Sequence, residues 1–181
     1  MQMEEKTLKR TIRYSVLGAV ALVLACSFVG NYNYAVNCEE NVQGAFSNVN
    51  ITLTNRYNKL NELLQYVKQY DEHEYKTLKD TIEARGKGMS HNEAENCMMQ
   101  IAAVAEQYPQ LQSQKNYKTL MDEASLIENK VAQVKTAYNN TVREYNVACR
   151  SFPANIILSL TGYEKRSFEY YEIYESVKDV K

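Results

Sequence analysis

Glycine and proline are scarce. The chain of 181 residues holds 6 Gly and 2 Pro, too few for the turns a sheet protein needs, so the scarcity favours long helices. Tryptophan is missing altogether, although Tyr occurs 15 times. An excess of one charge is missing too. With 21 Lys and Arg against 22 Asp and Glu, nothing in the balance calls for nucleic acid or anionic lipid as a partner.

The signatures of catalysis are also wanting. His73-Glu74 opens a zincin-like motif, but Thr77 stands where the second His belongs. Gly86-Lys87-Gly88 lacks the spacing and the Ser or Thr of a phosphate loop, and reads as a helix-breaking connection. No Gly-x-Ser-x-Gly and no dinucleotide fingerprint occurs. Neighbouring carboxylates such as Glu39/Glu40 and Asp71/Glu72 point different ways on a helix and belong to solvated faces. The cysteines are Cys26, Cys38, Cys97 and Cys149, with no Cys-x-x-Cys or Cys/His ligand spacing, so no zinc site and no cofactor is expected. Cys97 and Cys149 read as small core hydrophobes. Outside the apolar run there are three cysteines, Cys38, Cys97 and Cys149, so at most one pair can close within the chain.

What is present begins with that run. Residues 14–30 read YSVLGAVALVLACSFVG, without a charge, and the next charged residue is Glu39. Seventeen helical residues at ~1.5 Å each span roughly 25 Å, slightly short of a bilayer core. Asn31 and Tyr32 extend the span, Arg10 and Arg13 can snorkel, and Tyr14 and Tyr32 suit the two interfaces. The reading is an uncleaved anchor over 14–32. A lipoprotein signal ending at Val23-Leu24-Ala25-Cys26 is the alternative, with Cys26 lipidated and a bulky Leu where a small residue is usual. Lys6, Lys9, Arg10 and Arg13 precede the span, and no Lys or Arg follows until Arg56. The positive-inside rule therefore assigns 1–13 to the cytoplasm and the rest to the outer side.

Beyond the anchor, Val42, Phe46, Val49, Leu53, Leu60, Leu63, Leu64, Val67, Leu78 and Ile82 recur mostly at gaps of three and four. That pattern predicts one amphipathic helix over 33–85, broken at Gly86-Lys87-Gly88. Ser90 is a candidate N-cap for a helix over 91–107, which Tyr108-Pro109 ends. A third helix is predicted over 113–150 and a fourth over 154–160, with Phe152-Pro153 between them and Gly162 beyond. Short connections imply an all-α, elongated antiparallel up-and-down bundle of the four-helix type over 33–162. The aromatic and charged tail, 163–181, is expected to add a turn or two of helix.

These motifs resemble the LemA family of bacterial membrane proteins over 31–168. The residues that carry the likeness are Asn31-Tyr32-Asn33 after the anchor, Thr54 through Leu64, Tyr70-Asp71-Glu72-His73-Glu74, Tyr108-Pro109-Gln110-Leu111, Glu128-Asn129, Ala137-Tyr138-Asn139, Tyr145-Asn146 and Phe152-Pro153. Asn55, Asn58 and Asn61 depart from the family's Arg, Asp and Pro. The resemblance implies an N-terminal membrane helix, an antiparallel bundle, a bacterial cytoplasmic membrane and a family without an established enzymatic activity. A non-enzymatic scaffold or docking module of the envelope is thus expected, with the bilayer and other envelope proteins as partners. The rival is a hydrolase or transferase built around His73, Glu74 and Arg56. The Tyr-Asn pairs at 32, 57, 138 and 145 read as Tyr at core edges with wet hydroxyls. Arg56 falls on the apolar stripe between Leu53 and Leu60, and a guanidinium buried there needs a carboxylate, for which Glu128 is the candidate.

Overall fold

The computed structural model describes residues 2–172, with side chains from residue 10 onward. Among them there is no strand. Six helices follow in order: α1 (Gln2–Lys68), α2 (Glu72–Arg85), α3 (His91–Gln107), α4 (Pro109–Gln112), α5 (Lys115–Arg150) and α6 (Ala154–Leu160). A 3₁₀ turn, Gly86–Gly88, joins α2 to α3.

α1 crosses Gly30 without a break, so the apolar run and the amphipathic stripe are one helix. Its first part is long and apolar enough to span a membrane, and none of that stretch is buried inside the protein. The later part buries a stripe from Ala35 to Val67.

The chain forms two compact units. One takes the chain up to Val42 with Thr141–Glu169, and the other takes Gln43–Asn140 with the segment from Tyr170. In the first, Ala35, Cys38 and Val42 of α1, Val142, Tyr145, Ala148 and Cys149 of α5, and Ala154 and Leu158 of α6 are buried. In the second, Leu60, Leu63, Leu64 and Val67 of α1 share a core with Leu78 and Ile82 of α2, Ala94, Cys97 and Ile101 of α3, Leu111 of α4, and Tyr117 and Ala124 of α5. Each large aliphatic side chain buried this way contributes about 1.5–3 kcal/mol relative to exposure. Helices packed around one apolar core, four of them longer than one turn, make this unit a bundle. All four cysteines are free, and burial pushes the thiols of Cys97 and Cys149 up.

Three expectations from the sequence need correction. The helix predicted over 33–85 is two helices. α1 stops at Lys68, where the amides of Tyr70 and Asp71 both donate to the Val67 carbonyl. Asp71 then turns to an extended conformation, and its carboxylate accepts the amides of His73 and Glu74 at 3.0 Å each. An Asp in that position satisfies orphan amide donors and starts a new helix. The predicted end of this segment is where it was expected, at Gly86, whose φ of 52° suits a residue without a Cβ. The second correction is that residues 113–114 are not in α5. Pro109 sits at the start of the short α4, and a turn through Ser113 precedes Lys115.

The third correction concerns the tail. Residues 163–172 add no helix. They lie irregular and are fastened by side chains instead, and 173–181 lie outside the described residues. In the first unit Tyr163 donates to the Glu39 carboxylate, Arg166 pairs with Glu39 at 2.8 Å, and the Arg166 amide donates to the Tyr145 hydroxyl at 3.0 Å. That hydroxyl is buried, not wet. In the second unit the Asn139 side chain grips the backbone of Tyr171 twice. Its Nδ2 donates to the Tyr171 carbonyl at 2.8 Å, and its Oδ1 accepts the Tyr171 amide at 2.9 Å. Two Tyr-Asn pairs of the family pattern thus serve to hold the chain's own tail.

Two outcomes follow for stability. Asp71→Ala should cost about 1 kcal/mol in thermal unfolding, and Asp71→Asn much less. Burial, then the bond to Glu39, raises the Tyr163 hydroxyl above its usual range. A raised folded-state value stabilises the protein below the unfolded value of about 10 and is lost as pH climbs through the folded one. Tyr163→Phe should therefore flatten the alkaline loss of stability, measured by denaturation across that window.

Candidate functional site

The polar centre of the second unit is built on a charge that α1 puts in its own apolar stripe. One turn after Leu53 and one before Leu60, the helical repeat points Arg56 inward, and only 3% of it is exposed. Glu128, from the inward face of α5, is 4% exposed. Arg56 Nη1 and Glu128 Oε2 stand 3.6 Å apart, and Arg56 Nη2 donates to the carbonyl of Met89.

The segment between α2 and α3 completes the centre. Ser90 caps α3 through a reciprocal capping box: its hydroxyl accepts the Glu93 amide at 3.2 Å, and its own amide donates to Glu93 Oε2 at 2.9 Å. The amide of Ser90, seconded by its hydroxyl and by Arg85 and Arg56, lowers the Glu93 carboxyl below its usual range. The cap fixes the direction of His91, the first residue of α3. His91 Nδ1 lies 3.1 Å from Glu128 Oε2, and its Nε2 lies 3.4 Å from Glu95 Oε1. One carboxylate oxygen is therefore shared by a guanidinium and an imidazole, while Glu128 Oε1 and Arg56 Nη1 make no hydrogen bond.

A cavity of about 280 Å³ opens beside this centre. Its walls include Leu53, Met89, His91, Lys135 and Tyr171. Burial, followed by the repulsion of Arg56, lowers the Lys135 ammonium below its usual range. Lys135 donates to the Glu172 carbonyl at 3.3 Å and lies over the Tyr171 ring at 5.6 Å. The tail thus forms part of the wall.

The sequence named Arg56 and Glu128, and the fold brings them together. His91, the Met89 carbonyl and Lys135 were missed. His91 had one available signal, its place directly after the Ser90 cap. His73 and Glu74 stand elsewhere, in the first turn of α2, where their amides donate to Asp71, and neither lines the cavity. Cys26 is exposed on the apolar part of α1. Among the described residues no group of three or more His, Cys, Asp or Glu is placed to hold a metal ion.

The LemA family model matches residues 45–181. Magnetosome protein MamQ 2 of Paramagnetospirillum magneticum is 22% identical over 190 aligned positions, covering 85% of this chain and 69% of its own length. Magnetosome protein MamQ 1 of the same organism matches equally well. Magnetosome protein MamQ of Magnetospirillum gryphiswaldense is 30% identical over 70 positions, 39% of this chain and 26% of that protein.

Removing one member of the buried pair strands the other. Arg56→Met should destabilise the fold by roughly 3–5 kcal/mol, while Arg56→Met with Glu128→Leu should recover much of the loss. A double-mutant cycle in thermal denaturation measures the coupling. Small and additive effects would show two independent charges.

Proposed function

Starting from the LemA family, to which this chain belongs, we propose a membrane-tethered, non-enzymatic docking module of the bacterial cell envelope. The protein is membrane-associated and helical. In this reading α1 crosses the cytoplasmic membrane over 14–32, residues 1–13 stay in the cytoplasm, and the folded part works on the outer side. The observation that carries the reading is α1 itself. A bilayer-length apolar stretch, unburied by anything in the protein, runs without a break into a helix whose next turns form a folded core. Orientation rests on Arg10, Arg13 and the lysines before them, against a stretch free of Lys and Arg up to Arg56.

We read the polar centre as structural rather than catalytic. Its Ser hydroxyl is engaged in capping α3, and its carboxylate faces an imidazole and a guanidinium. The hydrolase or transferase reading gains a cavity, yet at residues other than His73 and Glu74. The partners proposed are the bilayer and other envelope proteins. A lipid on Cys26 remains the alternative form of the tether.

Protease added to intact spheroplasts should digest the folded part and spare the N-terminus. Protection of the folded part would reverse the topology. Mass spectrometry should find the N-terminus uncleaved, and a diacylated Cys26 as first residue would replace the helix by a lipid anchor. A photo-crosslinker at the exposed Leu126 should give discrete protein adducts in whole cells. A cavity-lining substitution such as Lys135→Met should leave those adducts unchanged if docking uses the outer faces.

A further inference from the structure

α6 is a helix with two apolar faces and one core. Residues 151–161, SFPANIILSLT, carry no charge. Ala154 and Leu158 are buried against the first unit, at 5% and 0% exposure. On the opposite face Ile156 and Leu160 are 51% and 75% exposed, and Phe152, in the turn that precedes α6, is 80% exposed. A helix apolar on both sides belongs in a core or in lipid, since water rewards neither face.

The height of this face relative to α1 is fixed by contacts within the same unit. The ring of Tyr163, three residues past Leu160, meets Tyr32 edge-on at 5.9 Å. Tyr32, Glu39 and residues 161–168 line one shared concavity. Tyr32 lies two residues beyond Gly30, the last residue of the apolar run, a rise of roughly 3 Å. The loop that ends α6 therefore lies alongside α1 from Tyr32 to Glu39, over the first turns beyond the apolar stretch. Tyr34, 57% exposed, adds another ring at that height. Tyr and Phe gathered where an apolar span ends are the composition of a membrane–water interface.

We propose that α6 is a second membrane contact, lying in the interface of the bilayer that α1 crosses, with Phe152, Ile156 and Leu160 inserted among the upper acyl chains. The occupant is lipid because the level is set by the anchor: a face at this height on a protein with α1 in the membrane meets the bilayer first. The contact makes the tether two-point. α1 alone leaves the folded part free to rotate about its axis, and a lateral apolar face fixes which side turns toward the membrane. The contact is apolar, in keeping with a charge balance that offers no anion-seeking patch, and Arg166 is already engaged by Glu39. The proposal rests on α1 spanning the membrane.

The chain has no Trp, so single Trp probes in the full-length protein, reconstituted in phosphatidylcholine vesicles, report without background. Phe152→Trp, Ile156→Trp and Leu160→Trp replace exposed side chains, and circular dichroism checks that each keeps its helix content. Their emission should shift to the blue and be quenched by a nitroxide at a shallow acyl position. Val20→Trp, within the apolar stretch, should be quenched by a deep nitroxide. Ile51→Trp, on α1 and 56% exposed, stands roughly 30 Å along the helix beyond Gly30 and should stay unquenched. Unquenched α6 probes beside a deeply quenched Val20→Trp would overturn the second contact and leave the anchor standing. An unquenched Val20→Trp would remove the anchor and the contact with it. Equal quenching at Ile51→Trp would show a contact not confined to the membrane end of the first unit, and would also overturn the proposal.

Discussion

One helix has to satisfy two solvents, and the rest of the molecule follows from how it does so. Over its first part α1 presents apolar side chains all round, with Leu22 and Leu24 about two-thirds exposed at 67% and 65%, which only hydrocarbon tolerates. From Ala35 onward the apolar residues retreat to one stripe, which only a protein core tolerates. No proline, capping residue or glycine turn separates the two regimes, so the helix runs on. Gly30 does not break it, because glycine in a helix costs only about 1 kcal/mol against alanine and the ladder on both sides outweighs that. The other helices then have a fixed surface to cover: α5 and α6 in one unit, α2 to α5 in the other.

Within the second unit the costliest feature is Arg56. A guanidinium taken out of water loses several kcal/mol of solvation, and attraction to a carboxylate restores it only with good geometry and further hydrogen bonds. The geometry here is partial. The Met89 carbonyl and Glu128 serve one end of Arg56, His91 shares Glu128, and one atom on each side of the pair makes no hydrogen bond. Half-satisfied polar networks are less stable than the apolar residues that would fill the same space. What the arrangement does supply is register. Arg56 has partners on α5 and at the start of α3, so a slide of either helix would leave a charge uncompensated. Together with the Ser90 capping box, this ties the α2–α3 connection to the middle of α1.

How far the sequence could be read depends on which physics wrote each part. Hydrophobic period was enough for α3 and the body of α5, because burial on one face leaves a repeat of three and four, while Phe152-Pro153 and Gly162 bounded α6. Charge in that repeat was enough to single out Arg56 and to pair it with Glu128. The break at 69–71 was hidden by the opposite condition: the surrounding pattern is helical on both sides, and the interruption is a single capping side chain, Asp71. The available sign was the lack of any aliphatic residue between Val67 and Leu78. The tail was illegible for a different reason. Residues 163–172 follow no period because their fastening is specific, through Asn139, Tyr145 and Glu39, residues distant in sequence.

That last point changes the meaning of the recurring Tyr-Asn pairs. In the sequence they read as Tyr at core edges with hydroxyls left in water. In the fold, Asn139 presents a donor and an acceptor to one peptide unit, and Tyr145 accepts the amide of Arg166. An irregular segment beside helices has no ladder to satisfy its backbone, so side chains must supply the partners that a sheet would otherwise give. Tyr171, held this way, stacks on Phe46, meets Tyr138 edge-on and puts its ring under Lys135, and so becomes a wall of the cavity beside Arg56 and Glu128. The tail and the buried pair are therefore one construction: the pair fixes how α1, α3 and α5 meet, and the tail closes the space left beside that meeting.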